Sequence, residues 1–381
     1  MQDMPQSDFA VVGAGLTGLA IAYGLARLGR SVVILERRDK PQLLNQPSHG
    51  LLWAQANLGA EPIQREWNLL ALSKWCEFDE QLCQISASAT HYERAGGLWL
   101  ADDPLALQGR RLQAEAGSPG DPELEWLDGE TLQRLIPRLS AEIVGASYCP
   151  DDGQLNLQLL HRALVRALDN LNVEQRYLST VERVVSDGDA YLVKGEGFTL
   201  CTRQLVLANG GQSEVLVQSL GFEPLQTVVD TFWETSQVRQ FLPFPAWQLR
   251  QARDGSLLVP VGEFGAESEG WRLALKAYPN LRQLSVRRRW QNVRTECESE
   301  RPLYQRSTQY KGVFRVVSPD SLLHCPLHAS LVPAWLVGKL ADQAMAPFFG
   351  EITAKTPEPC PETAKTPEPS PSAPVFGAKS Q

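Results

Sequence analysis

FAVVGAGLTGLAIAYGLARLGRSVVILERR, residues 9–38, runs from an apolar strand through a glycine-rich turn into an amphipathic helix and out along a second apolar strand. The turn is Gly13-Ala14-Gly15-Leu16-Thr17-Gly18, and the second strand ends at Glu36, 18 residues past Gly18. Each part has a physical task in holding a dinucleotide. Gly13 permits a tight turn out of the strand. Gly15 lets the backbone approach a pyrophosphate that a Cβ would push away, and Gly18 lets the helix pack close to the strand. The helix N-terminus offers unpaired N–H groups and a partial positive charge to phosphate. An acid at Glu36 accepts hydrogen bonds from ribose hydroxyls and disfavours a 2′-phosphate. NADP is therefore the ligand least expected, while FAD and NAD both fit.

With 381 residues, the chain is long enough for two domains or one interleaved pair. Its 43% hydrophobic and 21% charged content is that of a globular protein with a sizeable core. A net charge of −8 argues against a nucleic-acid surface, and the local run Arg287-Arg288-Arg289 reads as a solvated helix end. Seven cysteines are scattered without a CxxC pair or metal-ligand spacing, so no metal site is expected and a reducing, cytoplasmic compartment is. No signal peptide is visible at the N-terminus. No apolar stretch reaches about 18 residues, so no transmembrane helix is predicted.

Farther along, an apolar-periodic helix is predicted over 155–168 and short strands over 172–177, 181–186, 190–194 and 198–202. They lead to LVLANGG at 205–211, a strand ending in small residues that lets the backbone pass close to a second stretch of a dinucleotide. A simple NAD dehydrogenase has no need of that strand, so the pair of motifs favours FAD. Residues 221–289 read as strand-rich with a turn at Asp254-Gly255, and 328–342 as helical despite Pro333. Residues 351–381 are rich in Pro, Thr, Glu, Lys and Ser and repeat TAKTPEP at 353 and 363, which reads as a disordered tail.

The ordered series of motifs resembles the D-amino-acid-oxidase-like family of FAD-dependent oxidoreductases. Besides residues 9–38 it comprises SHGLLW at 48–53, YERAGGLWLA at 92–101, WLDGETLQRLIP at 126–137, GASYCPDDGQLNLQLLHRAL at 145–164, LVLANGG at 205–211 and WQNVR at 290–294. The resemblance covers 9–340. It implies an α/β fold in which a Rossmann-like FAD-binding domain (1–90, 140–220, 290–345) is interleaved with a strand-rich substrate domain (91–139, 221–289).

By the same resemblance, the turn Gly13 to Gly18 faces the FAD pyrophosphate, and Glu36, with Arg37 beside it, faces the adenosine ribose. The Val181 backbone meets the adenine, and Ala208 and Gly210 flank the diphosphate from the other side. Ser48, His49 and Gly50 form a loop beside the isoalloxazine, where His49 is a structural loop histidine, a neighbour of the flavin or its covalent ligand. Arg294 clamps a substrate carboxylate, and the implied reaction is hydride transfer from the C–N carbon of an amine or amino acid to FAD. Two stretches depart from the family: the usual Pro and Gly after WQNVR are replaced by the acidic Thr295-Glu296-Cys297-Glu298, and the late loop differs. VVSPDSLLHCP at 316–326 lacks the glycines of the usual loop before the last helix and brings Asp320 where negative charge is unwelcome. His324 and His328 either restore positive character there or are ordinary loop and helix-face histidines, the simpler reading. A flavin-binding protein with little turnover, assembling with or regulating a protein partner, is the alternative reading. Homo-oligomerisation is left open.

Overall fold

The computed structural model describes residues 6–39, 50–117, 121–211, 213–262, 269–297 and 300–349. The expected tail and the loop residues Ser48 and His49 lie outside them.

The opening stretch folds as read: strand Ser7–Val12, helix Leu16–Arg27, strand Val32–Leu35. Ser7–Val12 lies in the middle of a large sheet. Its order is Leu303–Arg306, Val313–Val317, Phe198–Leu207, Ser7–Val12, Val32–Leu35, Glu174–Arg176. The central pairings are parallel, with Val11 opposite both Val206 and Ile34. Such strands are covered on both faces, which is why they read as unbroken apolar runs. Val11 and Ile34 enter the core on one face, whereas Ala10, Val12, Val33 and Leu35 enter the core on the other. Two antiparallel strands, Arg183–Asp187 and Ala190–Gly195, extend from Phe198–Leu207.

Helices Leu16–Arg27, Leu157–Asn170 and Cys325–Leu336 contribute most of the cover on the first face. Gly24 makes the close crossing, since a Cβ there would sit 2.2 Å from the Ala329 carbonyl oxygen and 2.5 Å from Pro333 Cγ. Helix 157–170 begins where the Asn156 side chain accepts from the N–H groups of Gln158 and Leu159.

The second part holds two smaller antiparallel sheets. One orders Arg250–Gln251, Leu257–Gly262, Thr227–Thr235 and Val286–Thr295; the other orders Gly97–Ala101, Gly145–Cys149 and Glu125–Asp128. These pairings move two expected borders. Strand 145–149 hydrogen-bonds to 97–101 and 125–128, and 290–295 belongs to the strand paired with 227–235. The expected divisions at 140 and 290 assigned both to the nucleotide part. Strands follow their hydrogen-bond partners, and sequence order alone does not name those partners. The region 221–289 also contains a helix, Glu269–Ala277, between its strands.

A buried polar knot joins the smaller three-stranded sheet to the turn Ala54–Asn57. The Asp152 carboxylate accepts from the Ala54 N–H at 2.6 Å, the Gln55 N–H at 3.2 Å and Gln55 Nε2 at 2.6 Å. Burial pushes its pKa up to about 7, against the pull of these donors. Arg110 donates to Ser147 and Gln55 and lies 4.1 Å over the Trp99 ring.

Candidate functional site

Strand Ser7–Val12 is followed in the chain by a neighbour on one side and, much later, by Phe198–Leu207 on the other. The carboxyl ends of these two strands therefore flank a topological switch point, where open α/β sheets bind ligands. A groove of about 1260 Å³, counting the solvent at its open side, lies there. Its walls include Gly13, Gly15, Leu16 and Thr17 from the turn, and Ala208 and Gly210 from the second motif. Glu36, Arg37 and Val181 stand at the side of strand Val32–Leu35. Arg294 stands on the side of the smaller sheet.

The turn explains its own glycines. Gly13 has φ +107°, and a Cβ there would lie 2.6 Å from the Ala208 carbonyl oxygen, so the two motifs touch through backbone alone. A Cβ on Gly18 would lie 1.9 Å from the Gly13 carbonyl oxygen. Gly15 is different: a Cβ there meets nothing within 4 Å. The space above Gly15 is the space a diphosphate needs. Gly15 also caps the helix without a side-chain hydrogen bond, which leaves first-turn N–H groups for an anion.

Glu36 is buried to 8% exposure. Its Oε2 accepts the Ala14 N–H at 2.8 Å and its Oε1 the Arg38 N–H at 3.1 Å, which fixes the carboxylate while each oxygen keeps a lone pair for a ribose hydroxyl. The Ala14 carbonyl is met at 3.4 Å by Nε2 of buried His161, whose pKa burial lowers, so the ring is neutral. Ala14 and Gly18 thus support the turn from behind. Gly50 lies outside this groove; with φ +86°, it packs against the Leu155 carbonyl and the Arg250 guanidinium.

Arg294 sits on strand Val286–Thr295, its Nε 3.1 Å from Asp230 Oδ2 on the facing strand, both side chains about one-third exposed. This pair holds the guanidinium at the groove without sealing it. At the late loop, Asp320 is not among the residues that line the groove. Asp320 is exposed and its Oδ1 accepts the Leu323 N–H at 2.9 Å, closing the turn before helix Cys325–Leu336. Its neighbours Pro319 and Ser321 line the groove instead. Nor do the histidines bring charge. Burial pulls His324 down to about 3 and His328 well below its ordinary value, so both are neutral.

The sequence reading missed Asn292, Thr295 and Ser318, which also form the wall. Asn292 has the strand parity of Arg294, two residues away, and that periodicity was the available signal.

The groove fits FAD: an open phosphate seat over Gly15, a fixed acid for the ribose, and a second backbone strand closing the other side. A family model of FAD dependent oxidoreductases (DAO) matches residues 8–341. An opine oxidase subunit of Rhizobium meliloti is 26% identical over 358 residues, covering 89% of this chain and 96% of that protein. Glycine oxidase of Geobacillus kaustophilus is 25% identical over 366 residues, covering 90% and 96%. The crystal structure of glycine oxidase from Geobacillus kaustophilus superposes with a TM-score of 0.78 over 90% of this chain and 97% of that one, at 22% identity, a likeness of fold. The chain belongs to the FAD dependent oxidoreductase (DAO) family, and FAD is the cofactor its groove is built to hold.

Proposed function

We propose that the protein oxidises the C–N bond of an amine bearing a carboxylate, an amino acid or an N-substituted amino acid. The observation that carries this is Arg294, a planar cation on the groove wall held by Asp230 on the neighbouring strand. A guanidinium matches a carboxylate with two parallel hydrogen bonds and fixes the rest of the molecule in one orientation. Bound FAD supplies the hydride acceptor. The chain's task is placement: Arg294 takes the carboxylate, and the carbon attached to nitrogen is turned toward the cofactor. A neutral amine gives up a hydride from carbon and a proton from nitrogen, leaving an imine that water hydrolyses. The names of the relatives, opine oxidase and glycine oxidase, support this substrate class.

The test is an anaerobic titration of the FAD-loaded protein with paired substrates, each carboxylate beside its decarboxylated amine, following bleaching of the oxidised flavin. Arg294→Lys keeps the charge and loses the fork. It should lower kcat/KM for carboxylate substrates by roughly 10- to 100-fold, the loss of one charge-assisted hydrogen bond. The simple amines should change little, and equal losses for both would remove the clamp.

A second reading concerns company. The opine oxidase relatives are named as subunits, which supports a chain that works with a protein partner. Co-purification of a stoichiometric partner from the native host would establish it, and a fully active isolated chain would refute it. Among the described residues six cysteines are free thiols, which supports a reducing, cytoplasmic setting.

A further inference from the structure

Ser318 follows strand Val313–Val317 and lines the groove. That strand lies on the side of Ser7–Val12 opposite to Val32–Leu35, which carries Glu36. With the ribose at Glu36 and the diphosphate over Gly15, Ser318 stands toward the ring end.

Behind Ser318 runs a chain of side chains. Ser318 Oγ is 2.8 Å from His324 Nδ1, and His324 Nε2 is 2.7 Å from Asn68 Oδ1. Asn68 Nδ2 is 2.8 Å from Asn57 Oδ1, and Asn57 Nδ2 is 2.9 Å from the Ala54 carbonyl oxygen. The last link sets the direction of all the others. A carbonyl oxygen only accepts, so Asn57 must donate to Ala54 with its amide nitrogen. Its amide oxygen then faces Asn68, which must donate in turn. The Asn68 oxygen faces His324, so Nε2 carries the proton. His324 is neutral, so Nδ1 is a bare lone pair, and the Ser318 hydroxyl donates to it. The reverse polarity would set two oxygens against each other at Ala54.

The Ser318 hydroxyl has therefore committed its only proton inward. It shows the groove lone pairs alone. A phosphate or carboxylate oxygen is repelled by that face, and an N–H is welcomed. Oxidised isoalloxazine has one ring N–H, at N3. We infer that Ser318 is a positioning residue that accepts the N3–H of the flavin, with its hydroxyl aimed by the chain that ends at the Ala54 carbonyl. This rests on the groove holding FAD.

The full-length apoprotein is titrated with FAD and with 3-methyl-FAD, which lacks that N–H, following flavin fluorescence. Wild type should prefer FAD by about 2- to 10-fold, the worth of one neutral hydrogen bond. Ser318→Ala should bind the two flavins alike, at about the weaker affinity. Ser318→Thr, which keeps the hydroxyl, should retain the preference. A wild type without preference, as a ribityl hydroxyl at Ser318 would give, overturns the inference. So does a preference that survives in Ser318→Ala. An unchanged flavin affinity with a raised substrate KM would hand Ser318 to the substrate amine and overturn it too. Failure of wild type to bind either flavin would strike the cofactor assignment itself.

Discussion

A methyl group on Gly18 and one on Gly15 meet different surroundings, and the contrast separates folding from cofactor binding. On Gly18 it would press on the Gly13 carbonyl oxygen at 1.9 Å, so helix and strand must part. Gly18→Ala should lower stability by about 1–3 kcal/mol, the usual cost of overpacking. On Gly15 it meets open space, and the backbone at φ −73° and ψ 175° accepts alanine. Gly15→Ala should denature within about 0.5 kcal/mol of wild type as apoprotein. Its FAD affinity should fall on the order of tenfold or more, because a charge-assisted backbone contact to phosphate is lost. Urea denaturation and flavin titration of both variants check the pair. Gly13 and Gly18 were legible in the sequence because crowded backbone admits one residue type, and Gly15 through its spacing between them. Ser318 was not: a polar side chain on a loop says nothing of its partners until Asn57, Asn68 and His324 are brought beside it, the first two from about 250 residues away in the chain.

At the scale of elements, the crossing of helices Leu16–Arg27 and Cys325–Leu336 depends on Gly24, which lies under Ala329 and Pro333. Gly24→Ala improves intrinsic helix propensity by about 1 kcal/mol. It also forces apart a contact in which a Cβ would lie 2.2 Å from a carbonyl oxygen. The crowding should win, with a net loss of about 1–2 kcal/mol, read from the denaturation midpoint. The same crossing explains a misjudged border. The helix expected over 328–342 starts at Cys325 and ends at Leu336. Pro326 fits its first turn, where the missing N–H costs nothing. Gly338, at φ +75°, turns the chain away beyond its end. Pro333 stays inside because its ring packs on Gly24, a tertiary reason that periodicity does not display. Helix Glu269–Ala277 was hidden in the same way, among neighbours rich in strand formers.

For the molecule as a whole, the knot at Asp152 couples the smaller sheet to the turn Ala54–Asn57, and it couples both to pH. Burial raises the Asp152 pKa from 3.8 to about 7. An acid with a raised folded-state pKa contributes stability that is fully present below its unfolded pKa and is lost as pH climbs through the folded one. This contribution should therefore decline between about pH 4 and about pH 7. Asp254, whose hydrogen bonds from Ser256 and Gln237 outweigh its burial and hold it at about 2, acts in a lower window and with the opposite sign. Denaturant unfolding at a series of pH values should show the Asp152→Asn protein less stable at low pH, with a flatter profile above it. An unchanged slope would mean the carboxylate stays ionised. The fold class was readable from residues 9–38 and 205–211, because a dinucleotide groove is built from backbone that dictates glycine. The border between the two parts was not, because pairing between 97–101 and 145–149 leaves no local mark.

The groove also has a timetable written into it. Its first wall is Gly13, Gly15, Leu16 and Thr17, but Arg294 and Ser318 come from the last third of the chain, and strand Val313–Val317 pairs with Phe198–Leu207. A polypeptide emerging from the ribosome thus holds the glycine turn early and the opposite bank very late. Products of premature termination before that strand should be blind to the vitamin-derived coenzyme.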